Sequence, residues 1–168
     1  MLSVTGKEVS NMLFGGSKHS GKKQKNDRLY LFKDGDQCSD VTGGWITEVE
    51  GNGGDYSATI YETLYIGGSG NGGKYWKPSR NLTTDVLNKF DYIFFEFKAR
   101  SYDSSNGGDC RFYVGGDFYM LNNRVNRDKT RIVALPLTNT SIKFGIFMSG
   151  HSTSYMWVNK VWLEKVGE

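Results

Sequence analysis

From Asn81 to Ser101 the chain reads NLTTDVLNKFDYIFFEFKARS, and the second half of this stretch alternates with a period of two. Ile93, Phe95, Phe97 and Ala99 fall on one face, and Glu96, Lys98 and Arg100 on the other, which begins with Tyr92 and Phe94. β-Branched and aromatic residues at that period predict a strand packed on one side and partly wet on the other. The polar break at Asn88 and Lys89, after Leu82, Thr83 and Thr84, predicts a turn or single helical turn before it.

The same alternation recurs along the chain. LYLFKDGD predicts a strand over Leu29 to Phe32 closed by the Asp34-Gly35 turn, and ITEVE follows Thr42-Gly43-Gly44-Trp45. CRFYVGGDFYML is the clearest hairpin, its strands flanking Gly115 and Gly116, because a two-residue turn favours positive φ at both positions. RIVALPLT places Val133, Leu135 and Leu137 together, and Pro136 marks an edge or a strand end. SIKFGIFM alternates through Ile142, Phe144, Ile146 and Met148. In YMWVNKVWLEK, Met156 and Val158 share one phase and Val161 and Leu163 the other, so a β-bulge at Asn159-Lys160 is expected to keep both pairs on the core. The tract from Gly51 to Gly73, by contrast, reads as a mobile loop between strands that shapes a binding rim.

Composition supports an all-β chain. The 168 residues include 22 glycines and two prolines, 14% are aromatic, and no long helical periodicity is present. That length suits one domain able to bury a core. The divisions expected are residues 1–27, a short N-terminal anchoring segment and basic linker, and residues 28–168, a β-sandwich. Lys18, Lys22, Lys23 and Lys25 make the linker basic, but a net charge of +3 is too small for a nucleic-acid partner. No apolar run reaches the length of a membrane span, and MLSVTGKEVSNMLFGG has no signal-peptide character. Cys38 and Cys110 are expected as free, buried thiols of a reducing compartment.

Several motifs fail on inspection. Gly68 to Tyr75 matches a phosphate-binding loop up to its last position, where Tyr75 cannot replace the hydroxyl that meets magnesium, and Trp76, Lys77 and Pro78 open no helix. Asp34, Asp36 and Asp40 fail as an EF-hand, with Ser39 where glycine and Trp45 where glutamate are required. Turn chemistry is the preferred reading, and a structural calcium stays open. His151 lies next to Ser152, but neighbouring side chains point apart, and His19 sits in the linker. Paired carboxylates for glycoside hydrolysis need only be folded to within roughly 5 to 10 Å. The acidic residues here fall mostly in turns and on exposed faces, so a non-catalytic chain is expected. The sequons at Asn81 and Asn139 carry no weight without secretion.

Two resemblances add to this reading. The order of Leu82-Thr83-Thr84-Asp85, a short excursion, Phe90-Asp91-Tyr92 and a long alternating strand is similar to galactose-binding-like, carbohydrate-binding-module-like jelly rolls. The closing apolar-Asn-x-apolar strand resembles them again, so that together the likeness spans Leu29 to Lys165. It implies a jelly-roll β-sandwich in which Trp45 belongs to the core or its rim. The opening VTGKEVSNMLFGG resembles a small hairpin of bacteriophage tail and baseplate proteins. It implies a virion part assembled in the host bacterial cytoplasm, with other virion proteins as partners and Leu2, Val4, Met12, Leu13 and Phe14 as the assembly patch.

Sugars stack their C–H faces on aromatic rings while polar side chains bond their hydroxyls. Tyr75, Trp76, Tyr102 and Trp157 are the candidate stacking residues and Asn123 and Arg124 the candidate polar ones, with Tyr155 beside Trp157 and Asn122 beside Asn123. The expected function is therefore host-surface recognition by a virion protein that binds a cell-surface glycan. A ligand-free decoration or adaptor subunit, or a carbohydrate-binding module of a bacterial surface protein, are the alternatives, and a homo-oligomer stays open.

Overall fold

The computed structural model describes residues 27–51, 55–69, 72–101, 109–115, 117–121, 129–138, 140–148 and 153–166. Their strands are β1 (Arg28–Lys33), β2 (Trp45–Glu50), β3 (Asp55–Ile60), β4 (Leu64–Ser69), β5 (Gly72–Pro78), β6 (Tyr92–Ser101), β7 (Asp109–Val114), β8 (Asp117–Leu121), β9 (Arg131–Pro136), β10 (Ile142–Met148) and β11 (Thr153–Glu164). Two one-turn helices, α1 (Ser39–Thr42) and α2 (Thr84–Leu87), complete them. The chain is a jelly-roll β-sandwich of two antiparallel sheets. The first sheet runs β3-β4-β11-β6-β9, with β1 also paired to β11, and the second runs β2-β5-β10-β7-β8.

β11 is the spine of the first sheet. β6 follows it from Ser154 to Glu164, while β4 pairs from Thr153 to Val158 and β1 from Lys160 onward. The register shifts between Val158 and Lys160, where the sequence predicted its bulge. The extra residue restores the phase, and Met156, Val158, Val161 and Leu163 are all fully buried. β6 buries Ile93, Phe95, Phe97 and Ala99 as its alternation required. Facing them from the second sheet, Phe112 packs with its ring centroid 4.6 Å from Phe95 and 4.6 Å from Phe97, and Phe144 lies 5.6 Å from Phe95. Trp45 closes the core beside Phe144, and its Nε1 donates to the Leu31 carbonyl at 2.9 Å.

The local turns follow their residues. Asp34 and Gly35 both take positive φ, and Lys33 and Asp36 exchange backbone hydrogen bonds across them. Thr83 caps α2, its side chain accepting from the Val86 amide. β9 is an edge strand that ends at Pro136, and β7 and β8 pair from Cys110↔Leu121 to Val114↔Asp117 as the hairpin required. Cys38 and Cys110 form no disulfide; Cys110 is buried in the core and Cys38 is half-buried before α1.

One expectation is corrected. The glycine-rich tract is not a loop: it supplies β3, β4 and β5, in register with β11 and β10. Glycines show no alternation of their own, because what matters there is what lies over them. Residues 1–27, expected as an anchoring segment, and the assembly patch expected at Leu2, Val4, Met12, Leu13 and Phe14 lie outside the described residues, apart from Asp27.

Candidate functional site

Alternation along the second sheet decides which side chains face away from the core. Glu48 stands opposite Tyr75, Tyr75 opposite Gly145, and Gly145 opposite Arg111, forming one row across four strands. Lys143 and Tyr113 are paired in the next row, and Lys77 lies two residues beyond Tyr75 on the same phase. Three cations, two tyrosines and the Glu48 carboxylate thus meet on one outer sheet face, with Glu50 on the same phase of β2 opposite Gly73.

They are tied together. Lys143 Nζ donates to Glu48 Oε1 at 2.7 Å and lies 4.4 Å from the Tyr75 ring centroid and 5.2 Å from that of Tyr113. Lys77 Nζ reaches the other carboxylate oxygen at 2.9 Å. Hydrogen bonds from Lys143 and Lys77 hold the Glu48 carboxyl below its ordinary range. Tyr75 and Tyr113 meet edge to face at 5.6 Å, and Arg111 donates to the Tyr113 hydroxyl at 3.2 Å. Tyr75 is fully buried although it stands on an outer face, because Lys143 and Tyr113 pack against it. Burial, then the neighbouring Tyr113 hydroxyl, push its phenol well above the ordinary value. Among the described residues the buried Tyr75 hydroxyl has no well-formed hydrogen bond.

Two glycines shape this face. A methyl on Gly73 would sit 2.6 Å from Tyr75 Cε2, so the tyrosine ring lies down across the strand instead of standing on it. A methyl on Gly145 would overlap the Lys74 carbonyl oxygen and come within 2.7 Å of Tyr75 Cα, so β5 and β10 approach more closely than a side chain allows.

Of the residues expected from sequence, Tyr75 lies in this row, and the other described ones lie elsewhere. Trp76 pairs with Phe144 and packs half-buried against the core, since its neighbour Tyr75 takes the outer face. Trp157 faces outward, but on the first sheet, so Trp157 and Tyr75 lie on opposite sides of the sandwich. Tyr102, Asn123 and Arg124 lie outside the described residues. The sequence alone does not single out Glu48, Lys77, Arg111, Tyr113 and Lys143. Their signal was present as the polar phase of alternating strands, but the sequence does not say which strands are neighbours.

Among the described residues no three His, Cys, Asp or Glu side chains gather as a metal site. Asp36 instead serves its own turn, with Oδ1 accepting from the Cys38 amide at 2.9 Å. No described helix is long and apolar enough to cross a membrane.

No family model matches the chain, and no curated protein matches it. Among solved structures it is similar to a family 29 carbohydrate-binding module, with TM-score 0.47 and 12% identity over 83% of this chain and 89% of that one. The xylan-binding module CBM15 gives TM-score 0.47 and 11% identity, covering 85% and 99% respectively. The CBM22-1 xylan-binding domain of Paenibacillus barcinonensis Xyn10C gives 0.40 and 17%, covering 76% and 90%. These are likenesses of fold.

Chemically, the outer face of the second sheet offers ammonium and guanidinium donors, a carboxylate acceptor and a half-buried tyrosine edge, all fixed on strands. Such groups suit a hydroxyl-rich ligand, whose hydroxyls both donate and accept.

Proposed function

We propose that this chain is a non-catalytic glycan-binding module whose ligand lies across the outer face of the second sheet. The observation that supports it most is the row Glu48, Tyr75, Gly145, Arg111 with Lys143 and Tyr113 beside it. Glu48, Lys77 and Lys143 are held there by their ion pairs and Arg111 by its hydrogen bond to Tyr113, so little side-chain entropy is lost when a ligand replaces water. The carrier that fits this reading best is a bacterial surface protein. A virion is the second setting, with residues 1–27 as its anchor.

The test is affinity electrophoresis and calorimetry against a panel of neutral plant and bacterial cell-wall glycans. Arg111→Met and Tyr113→Ala are each expected to weaken binding by about tenfold or more, the effect of removing one charged hydrogen bond or one aromatic contact. Near-ultraviolet circular dichroism would check that both variants keep the fold. Binding that survives both substitutions unchanged would remove the second sheet as the site, and failure of every glycan to bind would remove the function.

A further inference from the structure

The outer face of the first sheet is divided in two by the bulge of β11. Beyond the bulge it is closed. Trp162 is 4% exposed, stacked on Phe94 at 5.1 Å, flanked by Tyr30 at 6.3 Å and lying under the Arg28 guanidinium at 5.1 Å. The charges there are paired, Arg28 with Glu164 and Lys160 with Glu96.

Before the bulge the same face is built differently. Tyr65 stands opposite Trp157, and Trp157 opposite Lys98; one row further, Gly67 stands opposite Tyr155, and Tyr155 opposite Arg100. The three rings form one cluster, Tyr65 to Tyr155 at 6.1 Å and 21°, Tyr155 to Trp157 at 5.9 Å and 29°, Tyr65 to Trp157 at 5.5 Å and 44°. Gly67 explains their attitude. A methyl there would overlap the Tyr65 hydroxyl and come within 2.6 Å of Tyr155 Cδ1, so the rings lie down over the glycine as a low platform. All three are half-buried, unlike Trp162.

Lys98 is half-buried beside this platform and, among the described residues, has neither an ion pair nor a hydrogen bond. Across both rows the register positions are Thr59, Tyr65, Trp157, Lys98 and Ser57, Gly67, Tyr155, Arg100, with no acidic residue among them. The acidic position on this phase of β3, Asp55, stands three strands from β6, about 14 Å away at the usual strand spacing. We propose that Tyr65, Tyr155, Trp157 and Lys98 form a second saccharide site, for a sugar that carries a carboxylate. The sugar ring lies on the platform and its carboxylate meets the Lys98 ammonium.

This site is on the opposite face from the one proposed above, so the two fail separately. The test titrates the full chain with an oligogalacturonate, and with the same oligomer methyl-esterified, reading tryptophan fluorescence. Trp45 and Trp162 are buried and Trp76 faces the core, so Trp157 is the tryptophan whose fluorescence a ligand on this platform alters. Saturable binding is expected for the acid. It should weaken about tenfold in Lys98→Met, through loss of one charge-assisted hydrogen bond, and by at least as much in Trp157→Ala. The methyl ester should bind the parent chain as weakly as the acid binds Lys98→Met. Arg111→Met should leave all of this unchanged. No saturable binding of the acid, or binding untouched by Lys98→Met and Trp157→Ala, overturns the proposal. So does binding lost in Arg111→Met, which would leave the other face as the site.

Discussion

Gly145→Ala gives the most direct test of the architecture beneath the second sheet's outer face. A Cβ there would overlap the Lys74 carbonyl oxygen and lie 2.7 Å from Tyr75 Cα, so the obstacle is backbone on both sides. β5 and β10 are held in register from Phe144↔Trp76 to Met148↔Gly72, and β10 is also paired to β7, so neither strand yields alone. Overpacking of this kind costs about 1 to 3 kcal/mol, and each ladder hydrogen bond stretched in the adjustment adds about 1 kcal/mol. Replacing glycine within a strand returns roughly 0.5 to 1 kcal/mol. The net is a destabilisation of about 2 kcal/mol, or about 4 to 8 °C in Tm for a domain of this length. Gly73→Ala is the control. Its Cβ would meet the Tyr75 ring at 2.6 Å, a side chain that can turn away. It should cost about 1 kcal/mol or less while moving Tyr75. Urea unfolding followed by tryptophan fluorescence measures both, with unchanged m-values as the check that only the native state is altered. If Gly145→Ala unfolds within about 0.5 kcal/mol of the parent, the close approach of the two strands is refuted; if Gly73→Ala costs more, the distinction between backbone and side-chain obstacles is.

Two further predictions concern charge. Glu48 has its carboxyl lowered by the hydrogen bonds from Lys143 and Lys77, so its stabilisation is fully present above its ordinary value of 4.5 and is lost as pH falls through the lower folded-state value. Acid unfolding of Glu48→Gln should therefore show a shallower loss of stability below pH 4.5 than the parent, and identical slopes would dismiss the ion-paired carboxylate. Glu164, whose side chain is 6% exposed, accepts from Arg28 Nε at 2.8 Å and Trp162 Nε1 at 2.8 Å. Arg28→Met should cost about 1 kcal/mol, at the low end for a charged hydrogen bond because water reaches Arg28. Glu164→Gln keeps an acceptor for the buried Trp162 Nε1, so a double-mutant cycle of Arg28→Met with Glu164→Gln isolates the pair, and no coupling would count against it.

Much of the fold was legible because a strand's facing is a local matter. The period of two in Ile93 to Ala99 and in Ile142 to Phe144 to Ile146 tells which residues are buried without knowing what covers them. The bulge at Asn159 could be found from four residues, since Met156 and Val158 cannot share a face with Val161 and Leu163 unless one residue is taken out of phase. Asp34-Gly35 likewise carries its turn locally, since both residue types tolerate the positive φ it needs. The glycine tract was misread because alternation is carried by side chains, and Gly67 and Gly73 have none; Tyr65 and Tyr75 lying over them are what make these strands.

The candidate site was beyond the sequence for a different reason. Strand pairing is made by backbone groups that every residue possesses, so nothing in Glu48, Arg111 or Lys143 records that β2, β5, β10 and β7 are neighbours. Both sheets also have a polar phase of the same appearance, and only closure of the sandwich separates Trp157 from Tyr75 on opposite faces. By itself the sequence determined an all-β chain, the inward residues of most strands and the position of the bulge. Which outward residues meet was decided by the tertiary structure, because sheet order depends on contacts between segments as far apart as Glu48 and Lys143, while alternation depends on nearest neighbours alone.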